Sequence, residues 1–170
     1  LIREPQIKHV SQLIGEHTRI FLYGFGSSGL AAQEFQLRLL RLGMDAEAIT
    51  ELHQMVLNEA RITNACLVIG ISLSGATREL IDALDWAKAR GAAVIYLTSS
   101  NAEREKRTYE EIVLAPVKKN LEYGNVISPQ FPILLILDLI YAQLLKEDRR
   151  STEAQYDTHI WERIKDYHVG

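Results

Sequence analysis

The chain has 170 residues, 47% of them hydrophobic and 24% charged, with a formal net charge of −3 and an isoelectric point near 6.0. That length and balance fit one ordered domain with a sizeable core and exclude a disordered or fibrous chain, while the slight acidity argues against a nucleic-acid surface on this chain. The single cysteine, Cys66, rules out an internal disulfide, fits a reducing cytoplasm, and opens an apolar run where a buried core thiol is expected.

Residues 1–17 place Ile2, Val10, Leu13 and Ile14 at helical spacing and end near Gly15, predicting a first helix on the core. Residues 19–24 read as a strand. Residues 27–42 read as a helix with Leu30, Phe35, Leu37, Leu39 and Leu40 as its apolar face and Gly43 placed to stop it. Ala46 to Ile49 reads as a short second strand and Glu51 to Ala60 as a helix. Cys66 to Ser72 is a continuous apolar run, the pattern of a strand buried on both faces of a parallel sheet. Ala76 to Arg90 is a helix closed by Gly91, and Ala93 to Thr98 another buried strand. Ala102 to Thr108 reads as a short polar helix and Ile112 to Leu114 as a short strand.

Residues 126–146 form mainly a long apolar helix, and Ser151 to Tyr167 a final amphipathic one. The run from Phe131 to Leu145 is interrupted by Pro132 and Asp138 and is shorter than the roughly 20 residues of a membrane span. From Ile133 to Leu145 it is apolar nearly all round, so it reads first as a core helix and second as a helix shared with a dimer interface. The N-terminus shows no apolar stretch of a signal peptide, and no membrane partner is expected. Strands alternating with helices predict an α/β fold built on a parallel sheet with right-handed crossovers.

Two hydroxyl-rich glycine turns follow buried strands. Gly24-Phe25-Gly26-Ser27-Ser28-Gly29 comes after Ile20 to Tyr23, and Ser72-Leu73-Ser74-Gly75-Ala76-Thr77 after Leu67 to Ile71. A strand that ends in such a turn and opens a helix offers free backbone N–H groups, a positive helix end and neutral hydroxyl donors, which together hold a phosphate. Thr98-Ser99-Ser100 ends the next strand in the same way, and ligands of open α/β sheets bind beyond such strand ends. Gly24, Gly26 and Gly29 also fit the G-x-G-x-x-G spacing of a dinucleotide turn, with Asp45 or Glu47 at the distance of a ribose-binding acid. No lysine stands where a P-loop needs one. A cradle of hydroxyls and amides suits a phosphate monoester and calls for no cofactor or metal; no Cys/His/carboxylate spacing suggests a metal site.

Gly26-Ser27-Ser28, Ile71 to Thr77 and the Thr98-Ser99 strand end together resemble the sugar isomerase (SIS) domain, from about Ile20 to Leu145. The resemblance implies a three-layer αβα fold with a five-stranded parallel sheet of flavodoxin-like topology. It implies that Ser27, Ser28, Ser72, Ser74 and Thr77 hold the phosphate of a sugar, and that the domain pairs as a homodimer or tetramer with residues of both subunits near the site. Phe35 to Gly43, the His53-Gln54 pair, and Glu122-Tyr123-Gly124-Asn125 before a long apolar helix are similar to the sensor domain of RpiR-type bacterial transcriptional regulators. The chain then reads as one domain over residues 1–170, with a helix over 1–17, a core over 19–146 and a helix over 151–168. DNA contact would come only through a helix-turn-helix domain preceding Leu1. His53 and Glu122 are the candidate contacts to the sugar. If the domain were instead a free-standing phosphosugar aldose–ketose isomerase, like a 6-phospho-3-hexuloisomerase, Glu122 would be the general base and His53 would assist ring opening. A non-catalytic sugar-binding adaptor is the third class.

Overall fold

Strands that read as unbroken apolar runs need cover on both faces, and the computed structural model supplies it. It describes residues 2–73, 77–99, 107–115 and 130–148. In chain order the elements are α1 (Glu4–Glu16), β1 (Arg19–Gly24), α2 (Gly26–Arg41), β2 (Ala46–Ile49), α3 (Leu52–Asn58) with a 3₁₀ turn (Glu59–Arg61), β3 (Cys66–Ser72), α4 (Arg78–Ala89), β4 (Ala93–Thr98), β5 (Glu111–Leu114) and α5 (Phe131–Asp148). The five strands form one wholly parallel sheet in the order β2-β1-β3-β4-β5. This is the flavodoxin-like order, with its reversal of direction between β1 and β3.

Alternate side chains of each strand enter opposite cores. Ile20, Leu22, Leu67, Ile69, Ile71, Ile95, Leu97 and Val113 face α1, α2 and α5, where they meet Val10, Ile14, Phe35, Leu39, Ile136 and Ile140. Phe21, Tyr23, Val68, Val94, Tyr96 and Ile112 face α3 and α4, where they meet Met55, Leu80, Leu84 and Ala87. All seven residues of β3 are buried, as a central strand covered on both sides requires. Cys66 belongs to the second core and is a buried free thiol.

The edge strand β5 is secured by side chains. Gln6 Nε2 donates to Glu111 Oε2 at 2.9 Å and to the Ile112 carbonyl at 3.0 Å, so α1 occupies part of the open edge. Just ahead of the strand, Glu110 Oε2 accepts the Val94 N–H at 2.6 Å, and Lys88 of α4 pairs with the same carboxylate.

Several sequence expectations need correction. Leu30, Leu37 and Leu40 are exposed at 58%, 56% and 45%, so they do not form the inner face of α2 with Phe35 and Leu39. At about 100° per residue they lie about 140–160° round the helix from Phe35. Ser28, Ala31 and Ala32 complete the inward stripe instead, because small residues let the helix approach the sheet closely. The helix expected over Glu51 to Ala60 is a shorter α3 followed by the 3₁₀ turn. Pro132 and Asp138 do not interrupt α5. Pro132 lies in its first turn, where a missing N–H costs nothing, and Asp138 Oδ1 pairs with Arg38 Nη1 of α2 at 2.5 Å. Arg38 also reaches Glu34 at 3.0 Å and lies over the Tyr141 ring.

Arg107 and Thr108 are not helical, and the rest of the helix expected over Ala102 to Thr108 lies outside the described residues. The final helix expected over Ser151 to Tyr167 lies outside them as well, as do residues 126–129 of the long one. Among the described residues no helix is long and apolar enough to cross a membrane.

Gly70 lies where the Leu84 side chain of α4 presses on β3. A Cβ there would stand 2.5 Å from Leu84 Cδ1, 2.9 Å from Cδ2 and 3.1 Å from Cγ. Leu84 is itself fully buried. Gly70→Ala is expected to cost about 1–3 kcal/mol by overpacking, and pairing it with Leu84→Val should recover part of the loss, as read by denaturant unfolding.

Candidate functional site

The site is built where the sheet reverses. The chain leaving β1 turns at Phe25 into α2 on one face, and the chain leaving β3 runs through Leu73 to Thr77 and into α4 on the other. Gly26 sits at φ +52°, a conformation that non-glycine residues rarely adopt, and it opens α2 immediately after β1. Gly24 permits the same tight turn from the strand side: a Cβ there would lie 2.9 Å from the Ser28 carbonyl carbon and oxygen.

Neither helix caps its own start. Phe25 is the N-cap of α2 and Thr77 the N-cap of α4, and neither makes a side-chain cap hydrogen bond. The orphan N–H groups of both first turns, and the positive ends of both helix dipoles, therefore remain available at one place. Thr77 is a residue type that normally caps, yet its hydroxyl leaves the helix end open.

Between these two starts lies a cavity of about 260 Å³, lined by Phe25, Ser27, Ser28, Ile71, Ser72, Leu73 and Thr77. Among the described residues no charged side chain is in that lining, so the attraction they offer an anion comes from helix ends and neutral hydroxyls. Ser27 is exposed to the cavity mouth, whereas Ser28 and Ser72 are buried. Ser28 Oγ accepts the Leu73 N–H at 3.3 Å, which leaves the Ser28 hydroxyl proton for another acceptor.

The structure thus brings together Ser27, Ser28, Ser72 and Thr77 of the residues that sequence points to. Ser74 and Glu122 lie outside the described residues. His53 is exposed in the first turn of α3 and is not part of the lining. Its helix is tied to β1 by Asn58 Nδ2, which donates to Tyr23 Oη at 2.7 Å, and burial pushes the Tyr23 phenol up, so it stays neutral.

Phe25, Ile71 and Leu73 also line the cavity, and no hydroxyl pattern in the sequence points to them. The dinucleotide reading gains no support: Asp45 is paired with Arg19 and Glu47 with Arg61, each at 2.9 Å. No group of three or more potential metal-ligating side chains occurs among the described residues.

Comparison with known proteins follows the same lines. Residues 12–133 match the SIS domain. An uncharacterized HTH-type transcriptional regulator of Haemophilus influenzae is 31% identical over 146 residues, 86% of this chain and 51% of that protein. The chain spans about half the length of the HTH-type regulators it matches. Among solved structures, the Vibrio vulnificus NanR protein complexed with ManNAc-6P has a TM-score of 0.77 at 22% identity, covering 97% of this chain and 61% of that one. The sugar isomerase domain of an RpiR transcription factor from Sphaerobacter thermophilus has a TM-score of 0.74 at 19% identity, covering 96% and 87%. At those identities the structural likeness carries the fold, while the domain match spans well over half of the residues. The chain belongs to the SIS domain family.

Proposed function

We propose that this chain is the phosphosugar-sensing domain of a helix-turn-helix transcriptional regulator of the RpiR type, acting in the cytoplasm. The observation that carries the reading is the pair of helix starts without side-chain caps over one cavity whose described lining is rich in hydroxyls. The regulator relative supplies the context, and the ManNAc-6P of the NanR complex supplies the ligand class. The DNA-reading part would belong to the portion of such a regulator that this chain does not span.

Magnitudes indicate how much of the ligand the cradle can hold. Four hydroxyl hydrogen bonds and two helix ends, at about 1 kcal/mol each, give on the order of 6 kcal/mol. Micromolar affinity needs about 8 kcal/mol. Contacts to the sugar must supply the difference, and His53 and Glu122 are the proposed ones, with Ser74 added to the phosphate end. The ligand then acts by linkage: it biases DNA binding only through unequal affinity for two arrangements of the regulator.

A second copy of the chain is the proposed partner. Helix-turn-helix regulators read paired half-sites as dimers. Leu30 and Leu37 on α2, with Phe131, Leu135 and Leu139 on α5, offer exposed apolar stripes on adjacent helices. Light scattering after size exclusion is expected to give a dimer mass for the wild type and a monomer mass for the Leu37→Glu/Leu135→Glu variant. A dimer that survives both charges would remove this surface from consideration.

For the anion site, Ser27→Ala and Thr77→Val are each expected to weaken phosphosugar binding by about two- to twelve-fold in calorimetry, one neutral hydrogen bond being worth about 0.5–1.5 kcal/mol. Unchanged affinity in the double variant would overturn the assignment. Saturable binding without turnover is expected; aldose–ketose conversion lost in Glu122→Gln would mark an isomerase instead.

A further inference from the structure

The chain just past β3 is held by two side chains where the strands have stopped. The β1–β3 ladder ends at the pair Gly24–Ile71, and the β3–β4 ladder ends at Ser72–Thr98. Leu73 is the next residue and has left the strand. Its N–H nevertheless donates to Ser28 Oγ, on the β1 side, at 3.3 Å. Its carbonyl accepts the hydroxyl of Ser99, the first residue past β4. Ser28 and Ser99 thus tie Leu73 to the chain that follows β1 and to the end of β4. The same Leu73 lines the cavity of the proposed anion site, as does Thr77 at the start of α4.

The two serines are not equivalent. Ser28 uses its oxygen as an acceptor and keeps its proton. Ser99 uses its proton on the Leu73 carbonyl, and it is not part of the cavity lining. From this we infer that Ser99 is a positioning residue of the anion site. It holds the Leu73 carbonyl at the end of β3 without touching the ligand. The inference rests on the proposed anion site. It adds a residue from a third strand end, so that β1, β3 and β4 all contribute to one cradle. Preorganisation of this kind raises affinity because the free protein already holds the bound geometry.

The test uses inorganic phosphate as the probe, titrated against the whole chain while the amide signals are followed by NMR. Ser99→Ala is expected to weaken phosphate binding about two- to ten-fold and to speed hydrogen exchange at the Leu73 amide. Ser99→Thr, which keeps the hydroxyl, is expected to restore both. A drop in melting temperature for Ser99→Ala with phosphate affinity within two-fold of the wild type would overturn the positioning role. So would weakened binding with unchanged Leu73 exchange, because that pattern marks direct contact. Thr77→Val separates this inference from the site itself. If it weakens phosphate binding and Ser99→Ala does not, the anion site stands and the role of Ser99 falls. If the wild type does not bind phosphate, both fall.

Discussion

The chain leaving β1 crosses to one face of the sheet, and the chain leaving β3 crosses to the other. Between them is a gap that no packing element can fill, because each helix is drawn to its own core. Everything else about the site depends on that divergence. It aims the starts of α2 and α4 at a common volume from opposite sides. It requires tight turns, which is why Gly26 takes a positive φ and Gly24 has room for no side chain. It also takes the backbone after Ile71 and Ser72 out of the sheet, and Ser28 and Ser99 hold Leu73 there.

The two cores hold this geometry in place from outside. On one face α1, α2 and α5 pack on the sheet, with Phe35 and Leu39 carrying α2. Burying an aromatic or leucine side chain is worth about 1.5–3 kcal/mol, several times a surface ion pair. The Arg38–Asp138 pair between α2 and α5 is half-exposed, so it orients the two helices more than it stabilises them. On the other face Gly70 lets α4 settle against β3, which sets the height at which its N-terminus meets the cavity. Small residues at the contacts thus do for the site what large ones do for the core.

The neutral groups of the described lining have a consequence for the proposed function. Hydroxyls and helix ends would give a phosphate modest affinity, which under the proposed reading contacts to the sugar would complete. Such a division would suit the proposed sensor, because discrimination would then lie with the part of the ligand that differs between sugars.

Strand positions, the two helix-stopping glycines and the paired Ser/Thr turns could be read from the sequence, because each follows from local rules. Unbroken apolar runs require cover on both faces, glycine alone takes positive φ freely, and hydroxyls after a buried strand have few other uses. The four cavity hydroxyls Ser27, Ser28, Ser72 and Thr77 were therefore legible, as was the SIS-type fold. Which leucines of α2 turn inward was not, since Leu30, Leu37 and Leu40 are as apolar as Phe35 and Leu39; only the approach of the helix to the sheet decides between two stripes on opposite sides. The purpose of Asp138 in an apolar helix likewise appears only when Arg38 is brought beside it from a segment about 100 residues earlier. The same holds for Ser99, whose hydroxyl was visible in the chain but whose acceptor, the Leu73 carbonyl, is a neighbour only once β3 and β4 lie side by side. Local chemistry specified the donors; their convergence on one volume, and the direction in which each spends its proton, came from the order of the strands.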